Sequence, residues 1–263
     1  MATGGFSGAL LLLAFAVSQA SAAEWNKHWS VGANPELRVR AGDAAVVIRA
    51  ATSNGIDATL TTQGWTIGRN GIQVIEHQSG NNVDIEVRVP SSGNFNFGQK
   101  SIRLEVRVPR ELIGDIHTGD GSISLFGLHG SLRADTGDGS IDAQDLDGKL
   151  EARTGDGSMH VTGRFDDVQL HTHDGSVELN VRPGSHLRTG WRIETGDGSI
   201  HARLPRDLAA DLELRTGDGS IGVDLPGSYP LSKTAGETHG KLNGGGPPLV
   251  LRTGDGSIKI SGS

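Results

Sequence analysis

The chain has 263 residues, a formal net charge of −7 and no cysteine. Without cysteine, disulfides, a lipid-modified N-terminal cysteine and thiolate chemistry are excluded. The mildly acidic balance, with Arg and Lys interspersed, argues against a surface that binds nucleic acid. The 40 glycines and the 4% content of aromatic residues fit a fold with a thin core of small and β-branched side chains.

Residues 1–23 have the composition of a secretory leader. They contain no charged side chain, and an apolar run at 9–17 leads to the small residues Ala20-Ser21-Ala22. This pattern predicts a signal peptide. The run is shorter than a membrane-spanning helix requires. We therefore expect an exported mature protein without a transmembrane span.

Residues 24–110 read as a divergent N-terminal cap of the structure that follows. Apolar residues alternate with polar ones around the Ala-Gly-Asp sequence at 41–43, and again at 83–89 and 102–108. Such alternation predicts half-buried strands. Stacked repeats need an atypical unit to cover their first face. The stretch 91–99 is predicted to be a loop.

Residues 111–263 contain a repeat. The pentapeptide Thr-Gly-Asp-Gly-Ser begins at Thr118, Thr136, Thr154, Thr195, Thr216 and Thr253, and occurs as Thr-His-Asp-Gly-Ser at Thr172. The first four starts are 18 residues apart, and the later gaps are 23, 21 and 37 residues. A period near 20 residues indicates units that stack on one another. The long last gap predicts an irregular loop at 226–248 that holds one degenerate coil.

Apolar residues flank every pentapeptide with a period of two. They occur four and two residues before the Thr and five and seven residues after it, with polar residues between them. Each repeat is therefore predicted to be a strand, a tight corner and a second strand. The predicted fold class is an all-β, single-chain parallel β-solenoid, like a β-helix or β-roll, with coils of about 18 residues and a rise of about 4.8 Å per coil.

The aspartates of the corners are predicted to form a row along the solenoid. These are Asp120, Asp138, Asp156, Asp174, Asp197, Asp218 and Asp255. We favour an Asx-turn, in which each carboxylate accepts a hydrogen bond from the Ser two residues later. A row of Ca²⁺ ions is the alternative. Against calcium, the Asp stands three residues before the inward apolar residue, whereas calcium-binding β-rolls place it two before.

The second glycine of the corner is the same in every copy, and these structural corners are Gly121, Gly139, Gly157, Gly175, Gly198, Gly219 and Gly256. Invariance predicts a positive φ that only Gly adopts at low cost. The first glycine is replaced once, by His173, so that position should tolerate a side chain. We expect Gly157→Val to destabilise the protein and Gly155→Asn not to.

Two segments resemble a known family. They are Val-Pro-Arg-Glu-Leu at 108–112, which leads into the first corner, and the closing stretch from Gly240 to Ile260. With the alternating strands, they resemble the toastrack domains, a family of bacterial envelope proteins of unknown function that are proposed to be adhesins. The resemblance covers about residues 35–260. It implies an exported β-solenoid with an adhesive or envelope-associated role and no catalytic residues to carry over.

The sequence contains no recognisable catalytic motif. A phosphate-binding loop, a Gly-x-Ser-x-Gly elbow and a His-Glu-x-x-His zinc motif are all missing. His160, His171, His173 and His201 are interpreted as exposed row residues and not as metal ligands. A polysaccharide-acting enzyme on a β-helix would need clustered carboxylates, whereas the acids here are evenly spread.

We therefore predict an exported, non-enzymatic protein without cofactor. Flat rows of Thr, Asp and Ser would meet an envelope polymer, a glycan or a protein through many weak contacts. A polysaccharide-acting enzyme and a calcium-binding β-roll are the two alternatives.

Overall fold

The computed structural model describes residues 22–90, 100–225 and 231–262. All regular elements in these ranges are β-strands, which confirms the all-β prediction. None of the described residues forms a helix with the length and hydropathy needed to cross a membrane. Most of the predicted leader, the 91–99 loop and residues 226–230 of the predicted second loop lie outside the described residues.

Twenty-one strands follow one another along the chain. They are β1 (Ala22–Ser30), β2 (Glu36–Arg40), β3 (Ala45–Ala51), β4 (Gly55–Gln63), β5 (Gln73–Ser79), β6 (Asn82–Arg88), β7 (Ser101–Pro109), β8 (Glu111–His117), β9 (Ile123–Phe126), β10 (His129–Asp135), β11 (Ile141–Thr154), β12 (Met159–Thr172), β13 (Val177–Val181), β14 (Trp191–Thr195), β15 (Ile200–Leu204), β16 (Ala210–Thr216), β17 (Ile221–Asp224), β18 (Leu231–Thr234), β19 (Glu237–Leu242), β20 (Pro248–Thr253) and β21 (Ile258–Gly262).

The strands pair in two rows, one on each side of the corners. The first row contains the strands that precede the corners, in the order β5, β6, β2, β8, β10, β11, β12, β14, β20, β16, β19 and β18. The second row is β1, β4, β7, β3, β9, β11, β12, β13, β15, β21 and β17. The long strands β11 and β12 contribute to both rows. Pairing is parallel in the interior and antiparallel near the ends.

Equivalent residues of successive repeats lie directly opposite each other. Thr154 pairs with Thr172, and Ile141 pairs with Met159. The predicted inward positions are buried throughout the interior of the stack, and Leu37, Val39, Val46 and Ile48 of the divergent segment are 0% exposed. A one-residue slip would turn this whole apolar set outward, so the alternation itself sets the register.

The order of the coils in space differs from their order along the chain. The coil of β20 and β21 lies between that of β14 and β15 and that of β16 and β17. The predicted degenerate coil at 226–248 is therefore wrong, because β18 and β19 form an antiparallel hairpin on β16 instead. At the other end of the two rows, β2 lies between β6 and β8, and β3 lies between β7 and β9. The strands β2, β3, β20 and β21 are thereby each paired on both sides.

Candidate functional site

The threonines of the corners point into the structure. All seven are between 0% and 7% exposed, so the prediction of an outward Thr row is wrong. The Thr154 hydroxyl donates a hydrogen bond to the carbonyl of Gly139 in the preceding coil at 2.8 Å and accepts one from the N–H of Gly157 at 3.3 Å. Thr136, Thr172, Thr195, Thr216, Thr253 and Thr118 make the equivalent bond to the coil before them in space. The hydroxyls therefore connect one coil to the next.

The second glycine is required for a reason other than the predicted one. None of the seven has a positive φ, so that prediction is wrong. A Cβ at Gly157 would lie 2.1 Å from the carbonyl oxygen of Gly139, and the distance is 2.0 or 2.1 Å to the neighbouring backbone at all seven positions. The coils approach too closely at this point for any side chain.

The first glycine has slightly more room. A Cβ at Gly155 would lie 2.7 Å from the carbonyl oxygen of Gly137. His173 occupies the same position one coil later, and its N–H still donates to the Gly155 carbonyl at 2.7 Å. The backbone therefore accommodates one side chain here without losing the bond between coils.

The corner aspartates are exposed and form no Asx-turn. Within the described residues, none of the seven carboxylates accepts a hydrogen bond, and the one basic side chain close to any of them is that of His173, 3.7 Å from Asp174. At two corners the predicted donor is used elsewhere: the N–H of Ser199, two residues after Asp197, donates to Ser176 Oγ at 3.3 Å, and the N–H of Ser257, two residues after Asp255, donates to Ser199 Oγ at 3.3 Å. The predicted Asx-turn is wrong for this physical reason. Asp43, at the decayed first corner, is an eighth exposed member of the row, which the Gly-Asp pair at 42–43 could have indicated.

The predicted histidines do not converge. His160 lies 3.9 Å from Glu178, and His171 lies 4.0 Å from Glu194. No three His, Asp or Glu side chains among the described residues are grouped so that they could hold a metal ion.

The outer face of the first row has a line of mostly charged side chains, one per strand, at the position just before each corner and, in β19, at the residue paired with Arg215. In spatial order this charge row is Arg40, His117, Asp135, Arg153, His171, Glu194, Arg252, Arg215 and Glu237. Partners of opposite sign come mostly from the same strand, two residues away, while Arg133 on β10 also reaches Glu151 on β11 at 3.4 Å. Arg153 contacts Glu151 at 2.7 Å, and Arg133 contacts Asp135 at 2.8 Å. The hydrogen bond that Arg133 donates to the Asp135 carboxylate raises the pKa of the Arg133 guanidinium.

Three hollows follow one another on this face. They have volumes of about 220, 280 and 540 Å³. Gln169 lines the first two, and His171 and Glu194 line the second and third, so each hollow adjoins the next. We call them together the outer groove, which is lined chiefly by Arg133, Lys149, Glu151, Arg153, Asp167, Gln169, His171, His173, Arg192, Glu194, Arg215 and Arg252.

A separate hollow of about 530 Å³ lies at the C-terminal hairpin. There His239 is paired in the sheet with both Glu213 and Ser232. That combination has the residue types of a catalytic triad. His239 makes no hydrogen bond to either residue, and its nearest carboxylate is Glu237 at 3.8 Å. The geometry therefore does not connect a nucleophile to a base.

Comparison with known proteins places the chain in a family. The sequence model of the family described as Toastrack DUF4097 matches residues 34–243, which confirms the resemblance noted above. No curated protein matches the chain significantly.

Several solved structures are similar at low identity. A proposed cell adhesion protein from Clostridium sporogenes is 17% identical, with 92% of this chain and 100% of that one covered and a TM-score of 0.43. A proposed adhesin from Bacteroides fragilis is 16% identical, with coverages of 90% and 97% and a TM-score of 0.47. A proposed lipid-binding protein from Parabacteroides distasonis is 13% identical, with coverages of 90% and 96% and a TM-score of 0.42. Because its family model spans more than half of the sequence, the chain belongs to the Toastrack family.

Proposed function

We propose that the protein is an exported, non-enzymatic binding protein of the cell envelope that holds an extended polymer along the outer groove. The proposal includes a parallel solenoid as the scaffold, with residues 24–110 as its N-terminal cap. The observation that carries it is that the three hollows adjoin one another across successive coils. Their lining presents side-chain hydrogen-bond donors and acceptors at the strand spacing of about 4.8 Å.

A repeating surface suits a repeating ligand. Each contact in an exposed groove is weak, but contacts made by linked units of one polymer add up, because the second unit binds at a high effective concentration. None of the described residues that line the groove is Phe, Tyr or Trp, so recognition would depend on hydrogen bonds and charge. The proposed ligand is therefore a polar polymer, for which a glycan is the best fit.

The groove carboxylates favour binding over glycoside cleavage. A glycosidase needs two carboxyl groups that face one bond in different environments. Here Glu151 is engaged by Arg153 at 2.7 Å, and Glu194 by Arg192 at 2.8 Å. Both acids already serve as ion-pair partners, and Asp167, the third groove carboxylate, lies 4.0 Å from the Lys149 ammonium. The calcium alternative is tested separately, because a calcium-dependent protein would unfold at a lower temperature after addition of chelator.

A polymer panel tests the proposal. The purified mature protein is run through gels that contain neutral or acidic polysaccharides, and retardation measures binding. We expect retardation by at least one polymer, tighter binding of longer chains than of short ones, and no release of reducing ends. Gln169→Trp should block the groove, whereas His160→Trp, on the outer face of the second row, should have no effect. Absence of retardation across the panel, or release of reducing ends, would overturn the proposal.

Export has its own test. When the full chain is produced in a bacterial host, mass spectrometry of the protein outside the cytoplasm should show a mature N-terminus near residue 24. Residues 24–30 of β1 would then remain paired with β4. An uncleaved chain in the cytoplasm would remove this part of the proposal.

A further inference from the structure

In the third hollow, two neighbouring residues of the charge row have the same sign. Arg215 and Arg252 lie directly opposite each other on β16 and β20. Like charges in this relation are destabilising. Elsewhere in the row, each charged residue faces either a histidine or a residue of opposite sign. The two arginines therefore carry an electrostatic cost that the rest of the row avoids.

The ion pairs of these two arginines are long and exposed to solvent. Glu194 is engaged by Arg192 at 2.8 Å, and Arg252 reaches the same carboxylate only at 3.9 Å. Arg215 contacts Glu237 at 3.3 Å and is 66% exposed. His171 and His173 line the same hollow. The lining of the hollow thus combines two guanidinium groups and two imidazoles with one glutamate that is already paired, while Glu237 contacts Arg215 from outside the lining.

The floor of the hollow is bare backbone. Gly196, Gly254 and Gly217 are successive first glycines in spatial order, and His173 stands at one end of them with a side chain that is 77% exposed. Their N–H groups already donate to carbonyls of neighbouring coils. A ligand here must therefore be held by the side chains of the hollow and not by the backbone.

We propose that the third hollow is a subsite for an oxyanion group, a carboxylate or a phosphate, carried by the polymer and bound by Arg252 and Arg215. This inference rests on the proposed function and names the chemistry of its ligand. The guanidinium fork matches the planar geometry of a carboxylate and the oxygens of a phosphate. A bound anion between the two arginines would relieve their mutual repulsion. Asp197, Asp255 and Asp218 follow the floor glycines in the sequence and would keep the anionic group toward the arginines.

A polysaccharide is favoured over a peptide as the carrier. The hollow offers no unpaired strand edge for a peptide backbone, because its strands are paired on both sides. It also has no apolar side chain in its lining. Preferential binding of an acidic peptide over an acidic sugar polymer of equal charge would overturn this choice.

The test uses the mature chain with three polymers and one ion. Binding of galacturonic acid oligomers, a glycerol phosphate polymer, neutral dextran and inorganic phosphate is measured by calorimetry and by NMR. We expect the acidic polymers to bind and dextran to bind at least tenfold more weakly. The stronger of the carboxylate and phosphate polymers identifies the source of the anion. Binding should weaken as salt is raised, because the charges are exposed.

Matched variants assign the subsite. Arg252→Gln and Arg215→Gln should each weaken binding of the acidic polymer by about tenfold, the effect of one charge-assisted hydrogen bond. Arg40→Gln removes the equivalent row residue at the far end of the stack, outside the groove, and should leave affinity unchanged. Because Arg252→Gln removes a like-charge pair, its melting temperature should be equal to or above that of the parent chain, which separates a binding role from a structural one.

The outcomes separate this inference from the proposed function. If acidic polymers bind and both Arg variants retain full affinity, the subsite is wrong and the polymer-binding function stands. If no polymer binds while inorganic phosphate binds in a manner that depends on Arg252, the subsite stands and the polymer-binding function falls.

Discussion

The corners that begin at Thr154 and Thr216 have the same five residues and different surroundings. In the first, Gly157 and the following Met159 are buried. In the second, Gly219 and Ser220 are exposed, and Ile221 is only half-buried, because no further described strand covers β17. Both threonines are nonetheless buried and donate to the coil beside them. The five residues of the motif are sufficient to form the corner. How deeply the corner is buried depends on whether the strands that flank it are paired on one side or on both.

The largest expected effect comes from filling the space between two coils. Gly157→Val places a Cβ 2.1 Å from the Gly139 carbonyl oxygen, which forces backbone apart on a coil that is paired on both sides. We expect a loss of about 3 kcal/mol or more in the free energy of unfolding, measured by urea denaturation. Gly219→Val would place a Cβ equally close to the Gly256 carbonyl oxygen. It should lower the free energy of unfolding by less, since the outer coil can move away.

Gly155→Asn is the control for this pair. Its clash is milder, and His173 shows that the backbone accommodates a side chain at that position. It should cost clearly less than Gly157→Val. Equal losses for Gly157→Val and Gly155→Asn would contradict the close-approach explanation.

Core truncation should show the same contrast between the middle and the end. Ile141 is 0% exposed, so Ile141→Ala should cost about 2–5 kcal/mol through lost burial and a cavity. Ile221 is half-buried on one side of β17. Ile221→Ala should therefore cost less than half as much in the same denaturation experiment. Similar losses at both sites would mean that the end of the stack is covered as fully as its middle.

The sequence allowed the strands, the inward residues and the positions of the corners to be predicted, because all three depend on local alternation and turn residues. It did not allow the order of the coils to be predicted. The corner copies are nearly identical, so the copy at Thr253 can stack on that at Thr195 as well as on that at Thr216, and both contacts occur.

The predictions about single corner residues failed for a related reason. The burial of Thr154 depends on a carbonyl in another coil, and the need for Gly157 depends on the distance between coils. Neither quantity is local in the sequence. The outer groove was missed because its lining residues come from several coils, although the charge row that forms much of it was visible in the alternation.

Removing a corner hydroxyl should have an intermediate effect. Thr154→Val leaves the Gly139 carbonyl and the Gly157 N–H without their buried partner, which should cost about 1–3 kcal/mol. Thr162→Val, on the outer face of β12, has no such bond and should change the unfolding free energy by less than about 0.5 kcal/mol. A loss at Thr154 no larger than that at Thr162 would show that the hydroxyl does not connect the coils.

The smallest expected effect distinguishes the exposed side of the corner from its buried side. Asp156 has no hydrogen-bond partner and lies in a row of like charges, so Asp156→Asn should raise the unfolding free energy by about 0.2–1 kcal/mol. Asp135→Asn should lower it instead, because Asp135 accepts a hydrogen bond from Arg133 at 2.8 Å. The gain at Asp156 should shrink as salt is added, since salt screens exposed charges. A loss of stability in Asp156→Asn would contradict the row of repelling charges, because this substitution removes the charge and keeps a side-chain oxygen that can accept a hydrogen bond.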